Sequence, residues 1–157
     1  PFLPRHLTLA GSLTIGIPGF VLALEPNSTR SRPGLLSRLL RFAVPAGSIA
    51  AAATLAAYAL ARQLQPEELE VARTAATITL TVCGLSILTL LARPRSPAHD
   101  LLVGLLGLGL AAALAVPFLR TFFDLHLPDA ATWIAVVCVT AAAHTLLWIS
   151  SRRALSS

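Results

Sequence analysis

Thr14, Gly16 and Pro18 lie inside an uncharged apolar run, Leu7–Leu24, and form the most chemically suggestive pattern in the chain. Proline has no amide hydrogen, and its ring clashes with the carbonyl four residues back, here that of Thr14. An interior proline costs roughly 3 kcal/mol in an ordinary helix, and a glycine about 1 kcal/mol. Gly16 and Gly19 flank Pro18, so the run predicts a bend or local unwinding between Thr14 and Gly19. Broken backbone at membrane depth faces protein or a polar cavity, where freed carbonyls can coordinate cations. A plain kink that lets neighbouring helices approach suits the same residues. The residue types alone leave both readings open.

Other candidates have blander readings. His144 is an ionisable group inside an apolar run, which by default raises a functional hypothesis. It lies five residues from the end of its run, where a neutral imidazole paired with a nearby threonine serves structure alone. Cys83 and Cys138 fall mid-run, as small apolar packers do. Gly107, Ala111 and Ala115 form a small-residue stripe suited to helix packing. Thr74, Thr77, Thr79 and Thr81 have the hydroxyls to bond across helices, although packing is the better reading. The basic stretch from Arg30 to Arg41 either enforces topology or meets anionic headgroups, with topology favoured. There is no Walker loop, no metal-spaced Cys/His pair and no Ser/His/Asp set, so no catalytic or metal residue is assigned.

The elements that must position these residues are apolar and long. Five runs contain no Asp, Glu, Lys or Arg: 7–24, 42–61, 74–92, 101–119 and 130–149. Each has 18 to 20 residues. As a helix that is about 27–30 Å, the thickness of a hydrocarbon core. Backbone groups in lipid must be satisfied within the segment, so the expected fold is all-α, a multi-pass bundle of five transmembrane helices across residues 1–157. The two-residue alternation of a membrane barrel is absent from runs such as 50–53 and 101–103. Between the runs lie turn formers and breakers, among them 25–34 and 93–97. Gln65-Pro66-Glu67-Glu68 and Leu127-Pro128-Asp129 read as helix starts.

Composition agrees. Of 157 residues, 55% are hydrophobic and 12% charged, about half the charged share of a globular protein. Ala and Leu alone fill 60 positions. This excludes a soluble enzyme, a disordered tail and a disulfide-stapled secreted domain. A net charge of +5 would suggest nucleic acid in a soluble protein. Here the arginines sit at the ends of apolar runs, so no nucleic-acid partner is expected. The partner is the lipid bilayer. All twelve basic residues are Arg, and with the Ala, Leu, Gly and Pro richness this points to a bacterial source.

Orientation follows from the arginines. One side carries Arg30, Arg32, Arg38, Arg41, Arg93, Arg95, Arg152 and Arg153. The other carries Arg5, Arg62, Arg73 and Arg120, with five of the seven acids. Short basic loops stay in the cytoplasm, which predicts a plasma-membrane protein with its N-terminus outside and C-terminus inside. Trp133 and Trp148 bracket the last run, about 22 Å apart along a helix, as interfacial aromatics do. No signal peptide precedes the first run, and the sequence holds no Met. Both features lead to the expectation of a longer parent with a helix crossing outward before Pro1.

Thr14-Ile15-Gly16-Ile17-Pro18, with Pro26 eight residues on, resembles the sixth transmembrane helix of the P-type cation-transporting ATPases. Calcium-pump members carry Asn-x-x-Thr-Asp-Gly-x-Pro there, with a second Pro eight residues later. The preceding Pro1-Phe2-Leu3-Pro4-Arg5-His6-Leu7-Thr8 resembles the outer loop and helix start of bacterial members. The specific likeness covers about residues 1–27; the remaining runs match the last four helices in number, length and orientation. The resemblance implies helices six to ten of a ten-helix pump, with Thr14, Gly16 and Pro18 in the cation pathway. It also implies ATP and Mg in the part outside this chain, and a transported cation, with calcium a candidate. Ile15 stands in place of the cation-binding Asp, and Gly11 in place of the Asn. A charged ligand must then come from other helices. Glu25 sits at the cytoplasmic end of the run, too shallow for a central site.

The chain has no Asp-Lys-Thr-Gly-Thr phosphorylation motif, so alone it hydrolyses nothing identifiable. Two other readings are a self-contained small multi-pass protein with a packing or regulatory role, and a fragment of a secondary transporter. The latter would show an inverted repeat, and none is evident. The arginine count generates a direct check. Single cysteines at Gln65 and Ser157, in a cysteine-free background, are treated with an impermeant reagent on intact cells. Gln65 is expected to label and Ser157 to stay protected; the reverse would invert the topology.

Overall fold

The computed structural model describes residues 2–24, 35–91 and 97–156. These residues are helical nearly throughout, with no strand among them. In order they form α1 (Pro4–Gly11), a π turn (Ser12–Gly16), α2 (Ile17–Leu24), α3 (Leu35–Leu64), α4 (Leu69–Leu91), α5 (Pro97–Ala115), α6 (Pro117–Phe123) and α7 (Ala130–Ser156). The all-α bundle expected from the apolar runs is what forms. Three helices are each long and apolar enough to cross a membrane, over Leu40–Leu64, Leu69–Leu90 and Ala130–Arg152. The other expected spans are interrupted, the first by the π turn and the fourth by a bend.

α4 is the central element. It packs against α1, the π turn, α3, α5 and α7. Residues 74–79 are buried without a break, so every side of the helix meets protein. The approach of α3 is made by small side chains: Ala46, Ala50, Ala53, Ala57 and Ala61 recur at three- and four-residue intervals and are all buried. Across from them lie Ala72, Ala75 and Cys83 of α4, with Val136 and Ala143 of α7. Small residues let helix backbones approach closely, which supplies the dispersion contacts that hold helices together in lipid. A second cluster joins Leu9 and Leu13 to Leu102, Leu106, Leu110, Ala113 and Leu125. It seats the first helix on α5.

Caps and hydroxyls settle the polar backbone. The Asp129 carboxylate accepts the Thr132 amide at 2.9 Å and opens α7. Hydrogen bonds from Thr132 hold that exposed carboxyl below its ordinary range. Thr132 also donates to the Gln65 side chain at 3.1 Å, fastening the end of α3 to the start of α7. Thr77, Thr79 and Thr81 do not bond across helices. Each donates to the carbonyl four residues back, at 2.8 Å, and satisfies itself inside its own helix.

Two expectations need correction. The fourth run was expected as one helix, 101–119. Instead α5 stops at Ala115, Val116 turns extended (φ −82°, ψ 117°), and α6 leaves at 90°. Pro117 is the cause: it forces its predecessor out of the helical region and cannot donate to the preceding turn. The Gly107, Ala111, Ala115 stripe does not form the helix contact. Ala111 and Ala115 are exposed, and a Cβ at Gly107 would meet nothing within 4 Å. The close approaches are at Gly109, where a Cβ would lie 3.2 Å from Leu13, and at Gly84.

At Gly84 of α4 a Cβ would lie 2.5 Å from Thr14 Cγ2 and 2.9 Å from Thr14 Cβ. Thr14 is branched at Cβ and cannot swing that atom aside. Gly84→Ala is therefore expected to destabilise the fold by about 1–3 kcal/mol, as overpacking does. Combining it with Thr14→Ala should recover part of the loss, since the methyl group goes but the Thr14 Cβ at 2.9 Å stays. Gly104→Ala, at a site where a Cβ meets nothing, should be neutral or slightly stabilising. Thermal unfolding of the three variants in detergent checks the order.

Candidate functional site

The first helix runs without a gap from Pro4 to Leu24, because α1, the π turn and α2 abut. Unwinding between Thr14 and Gly19 does not occur. Gly11, Ser12 and Ile17 keep right-handed helical dihedrals, and the disturbance takes the form of a widened turn placed ahead of the proline. The Ile17 amide bonds the Ser12 carbonyl, five residues back, where an α-helix would reach four. Pro18 lacks the donor that the Thr14 carbonyl meets in an α register and the Leu13 carbonyl in a π register. The helix accommodates the missing donor by changing register while staying folded.

The three expected pathway residues divide between two faces. Pro18 is fully buried, and Thr14 is half-buried with its methyl group over Gly84. The Thr14 hydroxyl donates to the Ala10 carbonyl at 2.7 Å, so its proton is already committed. Gly16 lies on the other side with Ile15, Ile17, Gly19 and Phe20, all exposed. Ile15 is 74% exposed and Phe20 67%, the profile of a face with no neighbour among the described helices. Leu13, one residue before Thr14, is buried against Gly109. The widened turn is thus wedged against α4 and α5 on one side and open on the other.

No group of three His, Cys, Asp or Glu side chains among the described residues could hold a metal ion. Glu25 and the loop arginines Arg30, Arg32, Arg93 and Arg95 lie outside the described residues. His144 and Cys138 are exposed on α7, and Cys83 is buried in the alanine-rich core. Trp133 packs beside Val136, while Trp148 carries the Arg152 guanidinium over its ring at 3.8 Å.

A polar cluster at one end of the bundle had no signal in the sequence. Arg5 pairs with Asp124 at 2.6 Å, across 119 positions of chain. His6 is fully buried beside it. Its Nε2 faces the Asp124 carbonyl at 3.3 Å, and its Nδ1 faces the Leu3 amide at 3.5 Å. The neutral Nε2–H tautomer suits both contacts, donating to the carbonyl and accepting from the amide. Asp124 itself is in the left-handed region (φ 56°) and closes α6. The His126 amide donates to Thr74 at 2.9 Å, binding the following loop to α4. Together these contacts clamp the start of the first helix to the end of α6 and the loop after it. Arg120, Thr121, Asp124, Leu125, His126 and Leu127 line a cleft of about 360 Å³ there.

Burial lowers the His6 pKa below its ordinary 6.5, against opposing pulls from Asp124 and Glu70. Between the lowered folded value and 6.5 the unfolded chain binds the proton and the folded one does not. Stability therefore falls as pH drops through that window. The expected result is a lower unfolding temperature at pH 5 than at pH 7.5, with the difference reduced in His6→Gln. Asp124→Asn breaks a partly exposed ion pair and should cost less, under about 1 kcal/mol.

Comparison with known proteins adds a lineage to this geometry. No protein-family model matches the chain, and no solved structure does. Nearly the whole chain, 97%, aligns at 39% identity with a protein of Mycobacterium bovis named calcium-transporting ATPase CtpE. The same coverage and identity hold for the protein of that name in Mycobacterium tuberculosis. In Mycolicibacterium smegmatis the identity is 38% over 80% of the chain. The chain spans about a fifth of the length of these relatives, 16–20%.

Proposed function

This chain belongs with the bacterial cation-transporting P-type ATPases, and from that premise we propose that its first helix forms one wall of the ion path in an ATP-driven pump. The observation that carries the reading is the π turn at Ser12–Gly16, placed directly ahead of Pro18. Such turns are rare and concentrate at functional sites. Here the extra residue and the missing proline donor leave carbonyl oxygens of the turn under-used as acceptors, which is what a hard cation seeks. Calcium is the first ion to test, since it is the ion in the names of the relatives.

The residues then have separate tasks. Gly84 and Gly109 let α4 and α5 press against Thr14 and Leu13, holding the widened turn in place. Pro18 keeps it from closing into an α register. Ile15, Gly16 and Ile17 turn their side away from the described helices, where helices of the longer parent would meet them. Ile15 brings no charge, so the carboxylates come from those helices. ATP and Mg act in the part outside this chain. The chain's own contribution is neutral oxygen and fixed geometry.

Two variants of the full-length pump test this. Pro18→Ala restores a donor, lets the π turn relax, and should lower cation-dependent ATPase activity while leaving the fold at least as stable. Thr14→Val keeps the shape over Gly84 and removes the hydroxyl. Weakening the site by one neutral ligand should raise the half-saturating calcium concentration about five- to tenfold. Wild-type transport rate and ion affinity in both variants would reduce the π turn to a packing device.

A further inference from the structure

We propose that α6 is an interfacial helix whose Phe118–Phe122 face lies in the headgroup and acyl boundary of the bilayer. The inference rests on the membrane reading of the chain but is independent of its ion chemistry. Pro117 turns α6 by 90° from α5. The 19 residues of α5 reach about 28 Å, the thickness of a hydrocarbon core, and with α5 upright in the bilayer a helix at right angles to it runs along the membrane plane. It leaves α5 where that span ends, at the depth where the surroundings change from hydrocarbon to water.

The side chains of α6 are sorted for that position. Phe118 and Phe122, four residues apart, share one face and are 76% and 63% exposed. Val116, just before it, and Leu127, in the loop that follows, are exposed as well. The other side is fastened to the protein, because Phe123 and Leu125 pack on the core around Leu9, Leu13 and Leu110. Phe123 also meets Phe122 edge to face at 5.0 Å, which steadies the outer ring. Charge lies at the same level: Arg120 and Asp124 line the neighbouring cleft, and Arg5 pairs with Asp124.

Two exposed rings beside charged groups are unfavourable in water and suited to the membrane boundary, where aromatic rings collect. The occupant is lipid because the apolar surface is continuous. Leu101, Leu105, Leu108, Ala111 and Ala115 form an outward strip along α5 that leads to Phe118. The strip offers acyl chains one continuous apolar surface, and α6 carries it on to the edge. α6 thus works as a float that fixes the depth of α5 and, through Arg5 and His6, of the first helix.

The test places a spin label at Phe118→Cys, and separately at Phe122→Cys, in the full-length protein with no other cysteine. The protein is reconstituted in phosphatidylcholine–phosphatidylglycerol vesicles, and collision with oxygen is compared with collision with a water-soluble nickel chelate. Val137→Cys, at an outward position two turns into α7, and Glu67→Cys, in a loop, serve as deep and aqueous references. Both α6 labels are expected at shallow depth, with an oxygen-to-nickel ratio between the references. A nickel accessibility equal to that of Glu67 would overturn the proposal, because the face would then be in water. Immobile labels shielded from both reagents would also overturn it, because a protein surface would cover the face. An aqueous signal from Val137 would defeat the membrane reading itself, and this inference with it.

Discussion

A backbone group in an apolar environment must find a hydrogen-bond partner, and Pro18 takes one donor away in the middle of a helix. Much of what distinguishes the first helix follows from that deficit. A soluble protein can let water fill the gap; a helix in hydrocarbon has to rearrange internally. This one inserts a π turn at Ser12–Gly16 and stays helical. The widened turn would not hold without lateral support, because a regular α register satisfies more groups. Support comes from two glycines on other helices, Gly84 under Thr14 and Gly109 under Leu13. The missing proton, the widened turn and the glycine seats are one arrangement.

α4 makes the arrangement possible by being a surface that others can approach. Alanine and threonine fill most of its buried positions; Thr77, Thr79 and Thr81 bond their own helix, and only Thr74, near one end, meets a neighbour by accepting the His126 amide. The alanine ridge of α3 and the small residues of α7 close on it from one side. The first helix and α5 close from the other. At one end the Arg5, His6 and Asp124 cluster ties the first helix to the bend after α5. The inner faces are thereby all used, and the outer faces of the first helix and α5 are left open.

The helical class and the long apolar runs were legible because hydropathy over twenty residues survives any detail of packing. The weak point of the first helix was legible too, since Gly16 and Pro18 announce it locally. Its form was not: whether a proline bends, unwinds or widens a helix depends on what presses against it. Pro45 and Pro117 make the same point. Pro45 sits inside an unbroken α3, while Pro117 ends α5 and starts a new direction. Hydropathy continued through Phe118 and Leu119, so the run looked like one span. The packing glycines were misjudged for a related reason. Small-residue spacing favoured Gly107, but which side of α5 faces the first helix is decided by Leu102, Leu106 and Leu110, and they point Gly109 inward. The ion pair across 119 positions has no local signature at all.

As part of an ion path, the π turn and its open face should meet the transported cation directly. The most direct measurement is a structure of the full-length protein with calcium bound. An ion is expected about 2.3–2.6 Å from a backbone oxygen of the Ser12–Pro18 segment, the usual calcium–oxygen distance, with a carboxylate from a helix outside this chain across from Ile15 and Gly16. A first helix whose Ile15–Phe20 face lies against lipid, with the ion held elsewhere, would contradict it.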